Sequence, residues 1–337
     1  MKKLLDRVEA VVDDMLDGLA WSFPDYLRRI PQTRVMTRAR PKDLGKVGIV
    51  SGGGSGHEPA HSGYVGFGML DAAVAGEVFT SPTPDQILEG IRVADRGAGV
   101  LLIIKNYTGD VMNFEIAKDM ASAEGILTEA VIVNDDVAVE DSLFTTGRRG
   151  IAGTILVHKI AGALAEDGCD LTTVSRGANT AIQNLRSMGF ALAPCTPPAA
   201  GQPSFTLAEN EMEMGIGIHG EPGTRRQPVQ PARDLADYVL SRIVEDLQLK
   251  AGDSVACLIN GMGATPLMEL AILAKDVSMW LQNANIPCNF ALMGEYMTSL
   301  EMAGASVTLL RLRDDLERWL KAPCDTPAMR QGVMHER

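Results

Sequence analysis

Two of the five histidines in this 337-residue chain close glycine-rich runs. His57 follows Ser51-Gly52-Gly53-Gly54-Ser55-Gly56, and His219 follows Gly215-Ile216-Gly217-Ile218. Imidazole exchanges protons near neutral pH, and glycine lets a backbone approach a ligand closely. A third polar segment, Lys105-Asn106-Tyr107-Thr108-Gly109-Asp110, sets a cation and a carboxylate five residues apart. Such residues suit acid–base chemistry on an oxygen-rich substrate, which successive N–H groups of the first run would cradle.

The first run is not a familiar nucleotide loop. A Walker loop needs Lys-Ser/Thr after its last glycine, and here His57 stands there. The spacing Gly52-x-Gly54-x-x-His57 lacks the third glycine of a dinucleotide fingerprint. A glycine cradle with an imidazole on its rim remains, beside the plainer reading of a structural βα turn.

The elements that position these segments alternate. Val47-Gly48-Ile49-Val50, Ala72 to Gly76, Gly99 to Ile104 and Ala130 to Val133 read as short buried strands. A helix starts after Thr83-Pro84, with Thr83 at the N-cap and Pro84 at the first helical position. Further helices are expected over 111–124 and 151–165, and Leu4, Val8, Val11, Met15 and Leu19 predict an amphipathic first helix. Its acidic face is either solvated surface or a clasp on a second copy, and 24–46 reads as a polar connector. Alternation of this kind predicts a parallel sheet layered between helices. Ligands of open parallel sheets bind beyond the carboxyl ends of the strands. The glycine run, 105–110 and Asn134-Asp135-Asp136 would therefore meet in one crevice. Asp110 also has a plainer role available, as a cap on the helix expected from Val111.

Prolines at 194, 197, 198 and 203 mark 189–204 as a linker, dividing the chain into domains 1–188 and 189–337. Beyond it, Met212, Met214, Ile216 and Ile218 share one face of a predicted strand, and Gly215, Gly217 and His219 share the other. The two glycines would clear space beside His219 for a ligand. Helices over 235–247 and 266–281 and strands at 254–259, 289–292 and 306–310 make the second domain α/β with a mixed sheet.

Composition bounds the partners. With 22% charged and 46% apolar residues the chain is a folded globular protein. A net charge of −12 argues against nucleic acid and anionic membranes. Five scattered cysteines without a Cys-x-x-Cys pair suit reduced thiols rather than disulfides or zinc. No apolar run reaches the roughly 18 residues of a spanning helix, and acidic residues interrupt any leader after Met1-Lys2-Lys3. A soluble cytoplasmic protein is expected.

Three blocks resemble those of dihydroxyacetone kinase substrate-binding subunits: 52–59, 105–110 and 217–223. Segments 79–84, 141–150 and 298–300 are similar too, so the resemblance covers nearly the whole chain. It implies a phosphotransferase subunit whose donor is the phosphotransferase system or ATP, with the former favoured and the sequence leaving the choice open. His219 matches a histidine that binds the ketone covalently as a hemiaminal, Gly54 and His57 match loop residues around the substrate, and Lys105 and Asp110 match residues binding its hydroxyls. By their chemistry His57 and Asp110 would serve with His219 in catalysis, as acid–base groups. Gly54, Ser55, Gly56, His57, Lys105 and Asp110 are the expected substrate-binding set. No metal or cofactor is expected on this chain, since nucleotide and Mg²⁺ belong to a partner subunit. Expected partners are dihydroxyacetone, the nucleotide-binding subunit, a phosphocarrier acting through it, and a second copy in a homodimer. Two further readings stay open: a non-catalytic dihydroxyacetone sensor, and a kinase subunit for a C4 ketose such as erythrulose. The chain departs from the family pattern at Gly261-Met262 and at Ala305, which would alter a docking surface or the fit of a longer sugar.

Overall fold

The computed structural model describes residues 2–42, 44–139, 145–221 and 223–332. It contains two six-stranded sheets with helices packed on them. The first sheet comprises β1 (Leu27–Arg29), β2 (Val35–Arg38), β3 (Gly48–Ser55), β4 (Ala72–Val78), β5 (Val100–Lys105) and β6 (Thr128–Val133), in the order β1-β2-β4-β3-β5-β6. β4, β3, β5 and β6 run parallel as expected, but β2 and β1 extend the sheet antiparallel. The expected parallel sheet is thus present and extended by two antiparallel strands, and the connector at 24–46 is corrected, since it contributes both of them. Helices α2 (Pro84–Ala94) and α3 (Thr108–Ala123) cover one face, where Val100, Leu102 and Ile104 pack with Ile87, Ile91 and Phe114. Leu101 and Ile103 point to the other face, against α4 (Thr154–Glu166) and α5 (Leu171–Gln183). Burial on both faces is why β5 is apolar throughout. β6 is the edge strand and its Ile132 is exposed, so it is not the fully buried strand expected.

Helix α1 (Val11–Ser22) buries Val12 and Leu16. Part of its acidic face is engaged within the chain. Asp13 pairs with Arg29 and Arg34, and Asp17 lies 2.7 Å from Arg29.

The second sheet comprises β7 (Leu185–Ala193), β8 (Glu211–Met214), β9 (Arg225–Pro228), β10 (Val255–Gly261), β11 (Cys288–Gly294) and β12 (Ala303–Arg311), in the order β11-β10-β12-β7-β8-β9. Only β10 and β11 pair in parallel, so the sheet is mixed as expected. α6 (Ala232–Leu247) and α7 (Leu267–Asn283) cover one face. From the other face Ala256, Leu258 and Leu310 join the same core as Ile155, Leu156 and Ile160 of α4. Lying in that shared core, α4 is buried on every side from Thr154 to Ala165. The expected division at 188/189 falls inside β7, and the supposed linker from 189 begins as the second half of that strand. All five cysteines are free.

The two sheets are joined where β6 ends. The Asp135 carboxylate, buried, accepts from the Ile151 and Gly153 N–H groups at 2.8 and 3.0 Å and from the Ser187 hydroxyl at 2.5 Å. Ser187 N–H in turn donates to the Asp135 carbonyl at 2.7 Å. Asp135→Ala would orphan the buried Ile151 and Gly153 N–H groups, while the Ser187 hydroxyl keeps Thr308 Oγ1 at 2.6 Å, and each unsatisfied buried donor costs roughly 1–3 kcal/mol. We expect it to lower the unfolding free energy by roughly 3 kcal/mol or more, read from urea midpoints at unchanged slope. A loss under about 1 kcal/mol would remove Asp135 from this role.

Candidate active site

The glycine run is strand rather than loop. β3 continues through Gly52, Gly53 and Gly54 to Ser55, paired with β4 and bulged between Gly53 and Ser55. The glycines are required by what presses on them. A Cβ on Gly54 would lie 2.6 Å from Thr80 N and 2.8 Å from the Phe79 backbone. Gly53, at φ +149°, would put its Cβ onto Lys105 Nζ. The run therefore admits neighbouring protein, and β-pairing occupies much of the backbone expected to cradle a ligand.

Beyond the strand ends lies a cavity of about 570 Å³, lined by Gly54, Phe79, Thr80, Ser81, Tyr107, Thr108, Gly109, Asp110 and His219. Of the expected site residues, it brings together Gly54, Asp110 and His219. Ser55 and Gly56 do not line it. Ser55 Oγ donates to the Gly76 carbonyl at 2.8 Å, and Gly56 N–H donates to the Glu58 carboxylate. Lys105 and His57 are fully buried just behind the wall. Asn134–Asp136, expected as a third segment of the crevice, instead holds the sheet joint. Ala305 and Gly261-Met262 also lie away from this cavity; Ala305 lines a separate one of about 210 Å³.

His219 is held by a carboxylate that sequence reading assigned no role. The strand expected to carry it ends at Met214, because Gly215 turns the chain at φ +73°. Met212 and Met214, Ile216, and Ile218 then enter three different cores. Gly217 does leave space, but Glu221 and Arg149 fill it: a Cβ there would lie 2.7 Å from Arg149 Nη1 and overlap Glu221. Glu221 accepts from the His219 backbone N–H at 2.9 Å, and its other oxygen lies 3.4 Å from His219 Nδ1. Burial raises the Glu221 pKa, yet the His219 hydrogen bond and charge, with the Arg149 charge, outweigh it and hold it at about 2. An ionised Glu221 only accepts, so Nδ1 of His219 carries a proton, and in the neutral ring Nε2 is the nitrogen with the lone pair. Tyr107, His57 and Phe79 wall the ring with centroids at 4.4, 4.7 and 5.4 Å, all near-perpendicular to it. Arg149 is itself fixed by Asp136 at 2.6 Å and by the Gly215 carbonyl.

His57 is a second imidazole of fixed tautomer. Its Nδ1 lies 2.8 Å from the Thr298 carbonyl, which only accepts, so the proton is on Nδ1. Burial, then the positive charges of His219 and Lys105, push its pKa well below 6.5. Nε2 is therefore a lone pair, buried and without a hydrogen-bond partner.

Asp110 is not a cap. α3 starts at Thr108 with Tyr107 at the N-cap position and no side-chain cap bond. The Asp110 carboxylate has Oδ2 3.9 Å from Lys105 Nζ, and Oδ1 is buried with no partner. Among the described residues no cluster of three His, Cys, Asp or Glu side chains is arranged to hold a metal. No helix there is long and apolar enough to cross a membrane. Residues 141–144 of the matching 141–150 block and Pro222 lie outside the described residues.

Residues 17–328 match the Dak1 domain. The chain belongs to the Dak1 family. It is 56% identical over 331 residues to a Listeria innocua protein named as the dihydroxyacetone-binding subunit of a PTS-dependent dihydroxyacetone kinase, covering 97% of this chain and 100% of that one. A solved C. freundii dihydroxyacetone kinase, in complex with AMP-PNP and Mg²⁺, superposes with a TM-score of 0.89 at 35% identity, covering 100% of this chain and 62% of the longer one. A dihydroxyacetone kinase operon co-activator gives 0.89 at 38% identity, over 94% of this chain and 98% of that one.

The Glu221 assignment has a pH signature. Its folded pKa lies below the ordinary 4.5, so its contribution is complete above about pH 4.5 and is lost as pH falls towards 2. The stability advantage of wild type over Glu221→Gln should be roughly 3 kcal/mol at neutral pH and shrink across that window in urea titrations. An advantage unchanged between about pH 5 and 2.5 would contradict the assignment.

Proposed function

We propose that this chain is the dihydroxyacetone-binding subunit of a cytoplasmic dihydroxyacetone kinase, presenting its substrate to a nucleotide-bearing partner. One observation carries the reading: His219, with Nδ1 turned to Glu221, and Asp110, with an unpartnered oxygen, line the same cavity. The 56% identity to a subunit of that name supports the substrate class and a phosphotransferase-system donor.

In the proposed sequence, Nε2 of His219 adds to the central carbon of the ketone and the C=O π pair moves to oxygen. That oxygen gains a proton and Nδ1 gives one up, leaving a neutral hemiaminal. Glu221 stabilises the positive charge on the ring while the bond forms, and the depressed basicity of His57 makes it a strong acid when transiently protonated. The bond fixes a small, flexible molecule for in-line attack. Asp110 takes the proton from the terminal hydroxyl as it attacks the phosphoryl group, and a base of this kind contributes about 10²–10⁴-fold. Nucleotide and Mg²⁺ are assigned to the partner, and the active form to a homodimer.

The likeness to an operon co-activator favours a second reading, a sensor that captures the ketone without transferring phosphate. Turnover with the nucleotide-binding partner separates the two. Wild type should turn over only with that partner, and Asp110→Asn should keep the adduct but lose about 10²-fold or more in kcat. Capture without turnover, whatever nucleotide-binding partner and donor are supplied, would establish the sensor. Full activity of Asp110→Asn would take the base role from that residue.

A further inference from the structure

Lys105 is wholly buried, and a buried ammonium must have its N–H groups accepted. One faces the Gly52 carbonyl at 3.1 Å, and a second faces Nε2 of His61 at 2.9 Å. The third is left for the side of Asp110, whose Oδ2 stands 3.9 Å away. His61 belongs to neither the cavity wall nor the proposed chemistry, yet it makes the shorter of the two polar contacts of Lys105.

The hydrogen-bond pattern fixes the state of His61. The Ser51 hydroxyl donates its only proton to the Ile103 carbonyl at 2.7 Å. Towards His61 Nδ1, 3.4 Å away, that oxygen can only accept. Nδ1 therefore carries the imidazole proton, and Nε2 presents a lone pair to Lys105. Burial and the Lys105 charge push the His61 pKa well below 6.5, so the ring stays neutral. His158 packs against it with centroids 5.2 Å apart and is held to about 3 by burial and Lys105, so it adds no competing cation.

We propose that His61 is a positioning residue. Through the chain Ile103 carbonyl, Ser51 hydroxyl, His61 and Lys105, it aims the ammonium at Asp110 from beneath the glycine strand. Lys105 then acts on the reaction as the fixed counter-charge of the base. The groups facing Lys105 are Gly52 on β3, His57 and His61 after it, Asp110 on α3 and His158 on α4. Of these, only His61 and the Gly52 carbonyl lie within 3.1 Å of Nζ.

Removing one acceptor disfavours the charged form, so the Lys105 pKa falls further and the ammonium is lost at lower pH. In His61→Leu, assayed with the nucleotide-binding partner, the alkaline limb of kcat should move down by about one pH unit or more. His61→Gln, which can offer an amide oxygen, should restore most of that shift. A folded His61→Leu with an unmoved alkaline limb, or a His61→Gln no better than His61→Leu, would overturn the proposal. The wild-type chain supplies an arm that needs no substitution. Long-range ¹⁵N–¹H spectra of histidine-labelled protein should show His61 as the Nδ1–H tautomer across neutral pH. An Nε2–H tautomer or an imidazolium would overturn the proposal, and this arm decides alone if His61→Leu does not fold. The turnover arm rests on the kinase reading, whereas the tautomer does not. Absent turnover by wild type with the Nδ1–H tautomer intact would therefore sink that reading and leave the Lys105 contact standing.

Discussion

The site depends on a buried carboxylate that stays ionised. Glu221 lies between His219 and Arg149, and the His219 hydrogen bond with the charges of both outweighs its own desolvation. An isolated carboxylate at that depth would take up a proton, and a protonated Glu221 would no longer dictate which His219 nitrogen is bare. Arg149 is in turn locked to Asp136, next to the residue that joins the two sheets. The tautomer of one ring on the second sheet's side thus traces back to the end of β6 on the first.

Burial without full pairing is the common theme around the cavity. His57 Nε2, Asp110 Oδ1 and the Tyr107 hydroxyl are all buried and lack partners. Such groups cost free energy in a resting fold, and they cluster where a polar ligand would satisfy them. Lys105 differs, because its charge is met by a backbone carbonyl, an imidazole and a more distant carboxylate. The layering puts His219 and Asp110 at the cavity wall and His57 and Lys105 just behind it.

Much of this frame is legible in the sequence where local pattern and burial agree. β5 reads correctly because both its faces are covered, and the Thr83-Pro84 helix start because Pro84 presets the first turn. β1 and β2 escape notice because they are only three and four residues long and carry arginines, so neither shows an apolar run. β8 and the residues after it read as one long strand because Met212, Met214, Ile216 and Ile218 do alternate, although Gly215 sends them into separate cores. The glycine run reads as a loop because nothing local reveals that Thr80 and Lys105 press on it. His57, Asp110 and His219 stand out by type and position. Glu221 carries only the weak signal of an acid two residues from a histidine, and the contact of His61 with Lys105 joins residues 44 apart in sequence.

The central claim is that His219 Nε2, held bare by Glu221, forms a covalent bond to a ketone. It is tested most directly by ¹³C NMR of dihydroxyacetone labelled at its central carbon and added to the purified chain. The account predicts that the carbonyl resonance of bound ligand gives way to a tetrahedral one, which is absent in His219→Ala and weakened in Glu221→Gln. A bound ligand that keeps its carbonyl resonance in wild type, or a tetrahedral signal that persists in His219→Ala, would contradict it.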